Sequence, residues 1–386
     1  MAHYVIVSAS VGAGHDHAAA ELDRRLRQAG HRVDRYDFVE LLPAPLGRLL
    51  SGGYRHQVQN APWLWQATLT TFDRVGPAAL AAAATRIADE RVLATVGPRT
   101  AAVVSTYPLA SQALGRLRRS GRLAVPAVTY LTDPYVHRTW IAAGVDGTLA
   151  LHAATAGQAS RLGARGVRLV APLVAPGFRA PAGAAEIAAA RRTFRLPPTG
   201  PLALVVAGSL GLGRPDRTAA DVLGTGRATP VVVCGRYRTL HQRLTGVPGI
   251  VSLDWVDDMP TLMRAVDVVI HNAGGLTSLE ALASGRPTLT YRPLAGHGRA
   301  NAATLDTAGV IPWVRDRHQL ADALDTMLDR AGGPAPIPAG PDPCAVLADL
   351  ARARTAPPAR RSALRAAPRT RRRTGQPMRP PTRSSG

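Results

Sequence analysis

The sequence predicts two doubly wound α/β domains that face one another, with a ligand held at the carboxyl ends of their strands. Short β-rich runs alternate with helical stretches from residue 4 to residue 170. A Pro- and Ala-rich stretch then breaks the alternation, and a second series of the same kind opens at Leu202. Glycine-rich turns stand between strand and helix in both series.

In the first series the β-rich runs 4–9, 32–38, 102–105, 124–131 and 147–151 read as strands. They define a domain over 1–170, followed by a linker over 171–199. The second domain, 200–330, repeats the scheme through 202–207, 231–234, 250–253, 268–271, 288–291 and 310–314, each followed by a candidate helix. Residues 331–386 are rich in Pro, Ala, Gly and Arg and offer too little apolar surface to fold alone, so a disordered basic tail is expected.

A length of 386 residues suffices for two separate cores, and 46% hydrophobic content is that of an ordinary globular chain. Cys234 and Cys344 lie far apart without metal or disulfide spacing, which favours a reducing cytoplasm. The chain enters a strand at once, with no basic and apolar leader, and no apolar run is long enough to cross a bilayer. Any membrane contact is therefore expected to be peripheral. About half of the formal charge of +21 belongs to residues 351–386, which hold eleven Arg and no Asp or Glu. The absence of Lys excludes a Walker lysine, a Schiff-base lysine and a pyridoxal site.

The densest chemical signal lies in 268–287, read as strand, glycine turn, helix and second strand. Gly274 and Gly275 let the backbone approach a ligand, and Thr277 and Ser278 open a helix whose free N–H groups and dipole suit a diphosphate. Glu280, expected in the first turn, can accept both hydroxyls of a ribose. The same residues also fit a capping box, and this segment alone does not separate the two readings.

The turn Ser8-Ala-Ser-Val-Gly12-Ala-Gly14-His15 has the outline of a dinucleotide fingerprint, but His17 stands where the third glycine belongs, which argues against a nicotinamide site. It presents His15 at a helix start, as a proton acceptor or as a capping group. In 207–214, Gly208, Ser209, Gly211 and Arg214 offer a metal-free diphosphate cradle, a composition that ordinary α/β loops also have. Trp255 and Val256 can flank a nucleobase. Asp257 and Asp258 fit helix caps better than a paired-carboxylate metal site.

Taken in order, the segment 8–15, Leu131-Thr-Asp133-Pro-Tyr-Val-His137-Arg-Thr-Trp140, Trp255-Val-Asp-Asp-Met-Pro260, Gly274-Gly-Leu-Thr-Ser-Leu-Glu280-Ala and Ala295-Gly-His-Gly-Arg-Ala-Asn301 resemble a known family. It is that of the monogalactosyldiacylglycerol synthases and processive diacylglycerol glucosyltransferases, distantly related to the N-acetylglucosaminyltransferase of peptidoglycan synthesis. The likeness spans roughly 1–330. It implies the GT-B fold, a UDP-sugar substrate held mainly by the second domain, inversion at the anomeric carbon, and neither metal nor cofactor.

By the same resemblance, Glu280 binds the ribose, Gly208 to Gly211 and the turn at Gly275 to Thr277 the diphosphate, and Trp255 and Val256 the uracil edge. Asn301 and its neighbours meet the sugar. His297 and Gly298 stand where relatives often carry Gln-Glu to read hexose hydroxyls, a departure that leaves the sugar open. His15 and Asp133 are the implied candidates for the proton acceptor, with Asp133 alternatively orienting an imidazole.

On the acceptor side, Gly14 and His137 belong to the cleft, while Tyr54, Trp63 and Trp65 lie in an apolar insert punctuated by Arg. That insert fits a membrane-docking surface or a helical cap on the domain core. The Arg-rich tail suits an anionic leaflet; without a recognised nucleic-acid module, no specific nucleic-acid partner is expected. The resulting expectation is a cytoplasmic enzyme at the inner face of the plasma membrane that moves a hexose from a UDP-sugar to a lipid hydroxyl, diacylglycerol first. The alternatives are a soluble acceptor or a non-catalytic basic tether on the same scaffold.

Overall fold

Val5, Ile6 and Val7 are wholly buried, as a strand covered on both faces requires, and Val103, Val104, Val268, Val269 and Ile270 repeat the pattern. The computed structural model describes residues 1–10, 13–48, 52, 79, 83–206, 208, 211–330 and 337–355. Its strands form two six-stranded parallel sheets.

The first sheet comprises β1 (His3–Ser8), β2 (Arg32–Asp37), β3 (Thr100–Ser105), β4 (Ala127–Tyr130), β5 (Gly147–Ala150) and β6 (Val167–Leu169), in the order β2-β1-β3-β4-β5-β6. The second comprises β7 (Leu202–Val206), β8 (Thr229–Val233), β9 (Val251–Leu253), β10 (Val268–His271), β11 (Thr288–Tyr291) and β12 (Trp313–Val314), in the order β12-β11-β10-β7-β8-β9. Ile6 pairs with Arg35 and Val104, and Ile270 with Val205 and Leu289. Strand order reverses between β1 and β3 and between β7 and β10, and such reversals open crevices at the carboxyl ends.

The helices that frame these crevices are α1 (Ala13–Gln28), α2 (Pro108–Arg119), α3 (Ala153–Arg161), α4 (Ala184–Thr193), α5 (Pro215–Thr225), α6 (Met259–Ala265), α7 (Gly275–Ala283), α8 (His297–Thr307), α9 (Leu320–Asp329) and α10 (Pro343–Thr355). Alternation along β1 sends Tyr4 and Ile6 against Ala18, Ala19, Leu22 and Leu26 of α1, and Val5 and Val7 into the layer of Ala113, Leu114 and Leu117 of α2. Each such aliphatic side chain contributes about 1.5–3 kcal/mol by burial. Across the second sheet, Leu202, Leu204 and Val206 pack with Leu262 and Met263 of α6, whereas Ala203 and Ile270 pack with Leu320, Leu324 and Met327 of α9.

Two expectations about the connecting segments are corrected. The stretch 171–199 is more than a linker: it contains α4, its Ala190 and Leu196 enter the second domain's core, and buried Arg191 bonds Asp267 at 2.8 Å. The tail expected to be structureless from 331 contains α10. Val346 and Leu347 of α10 are buried in the first domain's core beside α1, and Ala171 N–H donates to Pro341 O at 3.0 Å. The chain thus returns from the second domain to the first.

Candidate active site

β1 ends at Ser8, and α1 follows with His15 as its third residue, above the β1/β3 reversal. His15 Nδ1 lies 2.9 Å from Thr132 Oγ1, and its carbonyl accepts from Thr106 Oγ1 at 2.9 Å. The ring packs against Tyr107 and Trp140, with centroids 5.3 and 5.9 Å away. Burial lowers its pKa below the ordinary value, with Asp133 opposing, so the imidazole is neutral at pH 7. In the tautomer that carries its proton on Nδ1 and donates it to Thr132 Oγ1, Nε2 is left as the acceptor.

Asp133 follows Thr132 on the loop beyond β4. Burial alone would raise its carboxyl. His297, whose Nε2 stands 3.2 Å from Asp133 Oδ1, together with His15 and His137 outweighs burial and holds it well below the usual carboxylate range. Asp133 is therefore a fixed anion and a weak proton acceptor, and the imidazole beside it comes from the second domain. His137 packs against His297 with ring centroids 5.3 Å apart and bonds Thr139 Oγ1; burial, and then His297, push its pKa down to about 3. The structure thus gathers His15, Asp133, His137 and His297 into one cluster that draws on both domains.

Across from this cluster, β10 ends at His271 and α7 begins at Gly275, with no side chain capping it. Ser278 Oγ instead donates to the carbonyls of Gly274 and Gly275 at 3.1 and 2.7 Å. The capping-box reading is overturned, and Glu280 falls in the second helical turn rather than the first. Among the described residues Glu280 makes no side-chain hydrogen bond or ion pair, and burial pushes its carboxyl up to about 8. Gly275 is obligatory, because a Cβ there would collide with the carbonyl oxygen of Thr132. Gly14 approaches the same helix, its Cβ position lying 3.8 Å from Leu276 Cβ. The start of α7 thus packs against the loop after β4 at Thr132 and against the start of α1 at Gly14.

Gly208, Gly211 and Gly213 all have positive φ (70°, 61° and 84°), which shapes the turn after β7. Asn272, which sequence reasoning missed, donates from Nδ2 to Leu212 O at 2.9 Å and ties that turn to the end of β10. Its one signal was an amide directly after an apolar strand. Thr132 was likewise missed as the partner of His15.

Other expected donor residues stand differently. Arg214 is exposed beside Asp216 at 3.4 Å, so its charge is already partly answered. Trp255 is exposed, stacked by Arg236 at 4.6 Å, with Nε1–H donating to Asp257 at 2.7 Å. Of the two expected caps only Asp258 serves, accepting from Thr261 N–H at 3.0 Å. Val256 packs against the second core. Asn301, expected at the sugar, is buried with its amide committed to protein: Oδ1 accepts from Tyr135 N–H at 2.9 Å and Nδ2 donates to Ala273 O at 3.2 Å. Ser209, Tyr54, Trp63 and Trp65 lie outside the described residues.

Comparison with known proteins matches residues 15–169 to the family model of monogalactosyldiacylglycerol (MGDG) synthase. A processive diacylglycerol beta-glucosyltransferase of Bacillus subtilis (strain 168) is 23% identical over 234 residues, 58% of this chain and 60% of that protein's length. The UDP-N-acetylglucosamine–N-acetylmuramyl-(pentapeptide) pyrophosphoryl-undecaprenol N-acetylglucosamine transferase of Salinibacter ruber is 31% identical over 149 residues, 36% of this chain and 40% of that one. In overall shape the chain is similar to Anabaena HepE, solved in complex with UDP-glucose, with a TM-score of 0.54 at 14% identity, covering 92% of this chain and 95% of that one. The fold is GT-B.

Proposed function

We propose, from the match of residues 15–169 to the family model of monogalactosyldiacylglycerol synthase and from the site geometry, that the chain is an inverting, UDP-sugar-dependent glycosyltransferase that places a hexose on a lipid hydroxyl, with diacylglycerol as the foremost acceptor. The observation that carries this reading is the contact of the two domains at Thr132 and Gly275, with neutral His15 on one side and, on the other, Glu280, which has no side-chain partner among the described residues. The Bacillus relative's named substrate supports the lipid acceptor.

In this reading Glu280 accepts the ribose hydroxyls of uridine. The N–H groups at the start of α7, which no side chain caps, meet the diphosphate, which gains negative charge as its bond to the anomeric carbon breaks. His15 Nε2 takes the proton of the acceptor hydroxyl while that oxygen forms the new bond on the opposite face of the sugar. Asp133, held ionised by its histidine neighbours, supplies a negative field that favours the transient imidazolium of His15. No helix among the described residues is long and apolar enough to cross a membrane, so access to a lipid hydroxyl is proposed to come from docking on the anionic inner face.

The test is incubation with dispersed membrane lipids and, separately, with water-soluble hydroxyl acceptors, each with a panel of radiolabelled UDP-sugars. Label in the organic phase, absent from a His15→Ala preparation, is the expected result. Label only in water-soluble product rejects the lipid acceptor, and no UDP-sugar consumed with either acceptor set rejects the transferase.

A further inference from the structure

Helix α8 carries His297, Asn301 and Thr304, spaced so that all three lie on one face. Each meets the first domain. His297 Nε2 is 3.2 Å from Asp133 Oδ1, Asn301 Oδ1 accepts from Tyr135 N–H at 2.9 Å, and Thr304 Oγ1 accepts from Gln158 Nε2 at 3.1 Å. Gln158, on α3, in turn accepts from Val136 N–H through Oε1 at 3.0 Å. The loop over 133–136 is therefore held by one helical face directly at Asp133 and Tyr135 and, through Gln158, at Val136, and the residue just before it, Thr132, is the partner of His15 at 2.9 Å. Asn301 and Thr304 are buried, at 2% and 7% exposure, so these bonds exclude water and do not simply decorate a surface.

We propose that the stripe His297, Asn301 and Thr304 is a latch by which the second domain fixes the loop bearing Thr132 and so sets the position of His15. These three are positioning residues; none needs to touch the reacting atoms. The catalytic consequence rests on the reading of His15 as proton acceptor. The mechanical claim does not. If the loop is latched as one unit, releasing one grip loosens the others; His297 also packs edge-on against the Tyr135 ring, so Thr304, which bonds Gln158 and not Tyr135, gives the cleaner reading of coupling to the amide that Asn301 holds.

The test uses the full chain carrying His297→Ala, Thr304→Val or His297→Gln. Hydrogen exchange of the peptide over 131–137, read by mass spectrometry, is compared with steady-state kinetics on UDP-glucose. Loss of the contact to charged Asp133 corresponds to about tenfold or more, and loss of the neutral Thr304–Gln158 hydrogen bond to about fivefold. The expected result is exchange at Tyr135 faster by about tenfold in His297→Ala and about fivefold in Thr304→Val, a similar fall in kcat in each, and donor KM within about twofold of wild type. His297→Gln, which can still donate to Asp133, should restore both readouts. Wild-type exchange at Tyr135 in both deletion variants overturns the latch, whatever their activity. Faster exchange with unchanged kcat overturns the coupling to His15. Full turnover in His15→Ala overturns the proton-acceptor reading instead, and exchange alone then decides the mechanical claim.

Discussion

Glu280 gives a quantitative handle on donor binding. Glu280 is half-buried, and desolvation pushes its carboxyl up to about 8, which corresponds to ~90% protonation at pH 7 in the ligand-free protein. A carboxylate that accepts two ribose hydroxyls is favoured in its ionised form. Binding of UDP-glucose at pH 7 should therefore release ~0.9 proton per site, and deprotonation should cost about 1.4 kcal/mol of affinity relative to binding well above pH 8. Affinity should rise about tenfold per pH unit from the bound-state pKa toward about 8 and level off above it. UDP-glucose suits the measurement because its doubly substituted diphosphate does not titrate near neutrality. Titration calorimetry at pH 7 in two buffers of different ionisation enthalpy reads the proton count directly. Identical enthalpies in the two buffers, or release that persists in Glu280→Gln, would refute the assignment of the ribose to Glu280.

The same carboxyl predicts a stability effect of defined sign. A folded-state pKa raised from 4.5 to about 8 means the native protein holds the extra proton between those values, so stability falls as pH rises through that window. Glu280→Gln should raise Tm by ~6 °C at pH 8.5 and by about 1 °C at pH 5, by scanning calorimetry; equal shifts at both would contradict the raised carboxyl. His15→Ala should lower kcat by about 10²–10⁴-fold while leaving UDP-glucose binding within about twofold. In the wild type, the acid limb of kcat should have its midpoint below 6.5, since burial lowers the His15 pKa from that value; a midpoint above 6.5 would contradict that environment. Leu347→Ala should cost about 2–5 kcal/mol in urea unfolding, because α10 fills the first domain's core; a change under about 0.5 kcal/mol would place α10 outside that core.

The fold was legible where burial on both faces forces continuous apolar runs, as in β1, β3, β7 and β10. It was illegible in β6, a three-residue edge strand whose Arg168 and Leu169 are exposed and leave no apolar run to read. Helix α10 was hidden by composition: Val346, Leu347 and Leu350 are its anchors, and the Pro and Arg around them averaged them into a polar tail. At the site, motif order singled out His15, Asp133 and Glu280 as candidates. What it could not give was pairing across the cleft, because a sequence records neighbours along the chain and His297 meets Asp133 from 164 positions away. The capping-box reading failed for a local reason, since Gly274 and Gly275 let α7 begin before Thr277.

The division of labour between the domains is tested most directly by a crystal structure of the chain soaked with UDP. The ribose hydroxyls should lie within hydrogen-bond distance of Glu280, with the diphosphate against the first turn of α7 and its terminal phosphate facing His15. A nucleotide bound at any other surface, or none retained at millimolar UDP, would contradict the account.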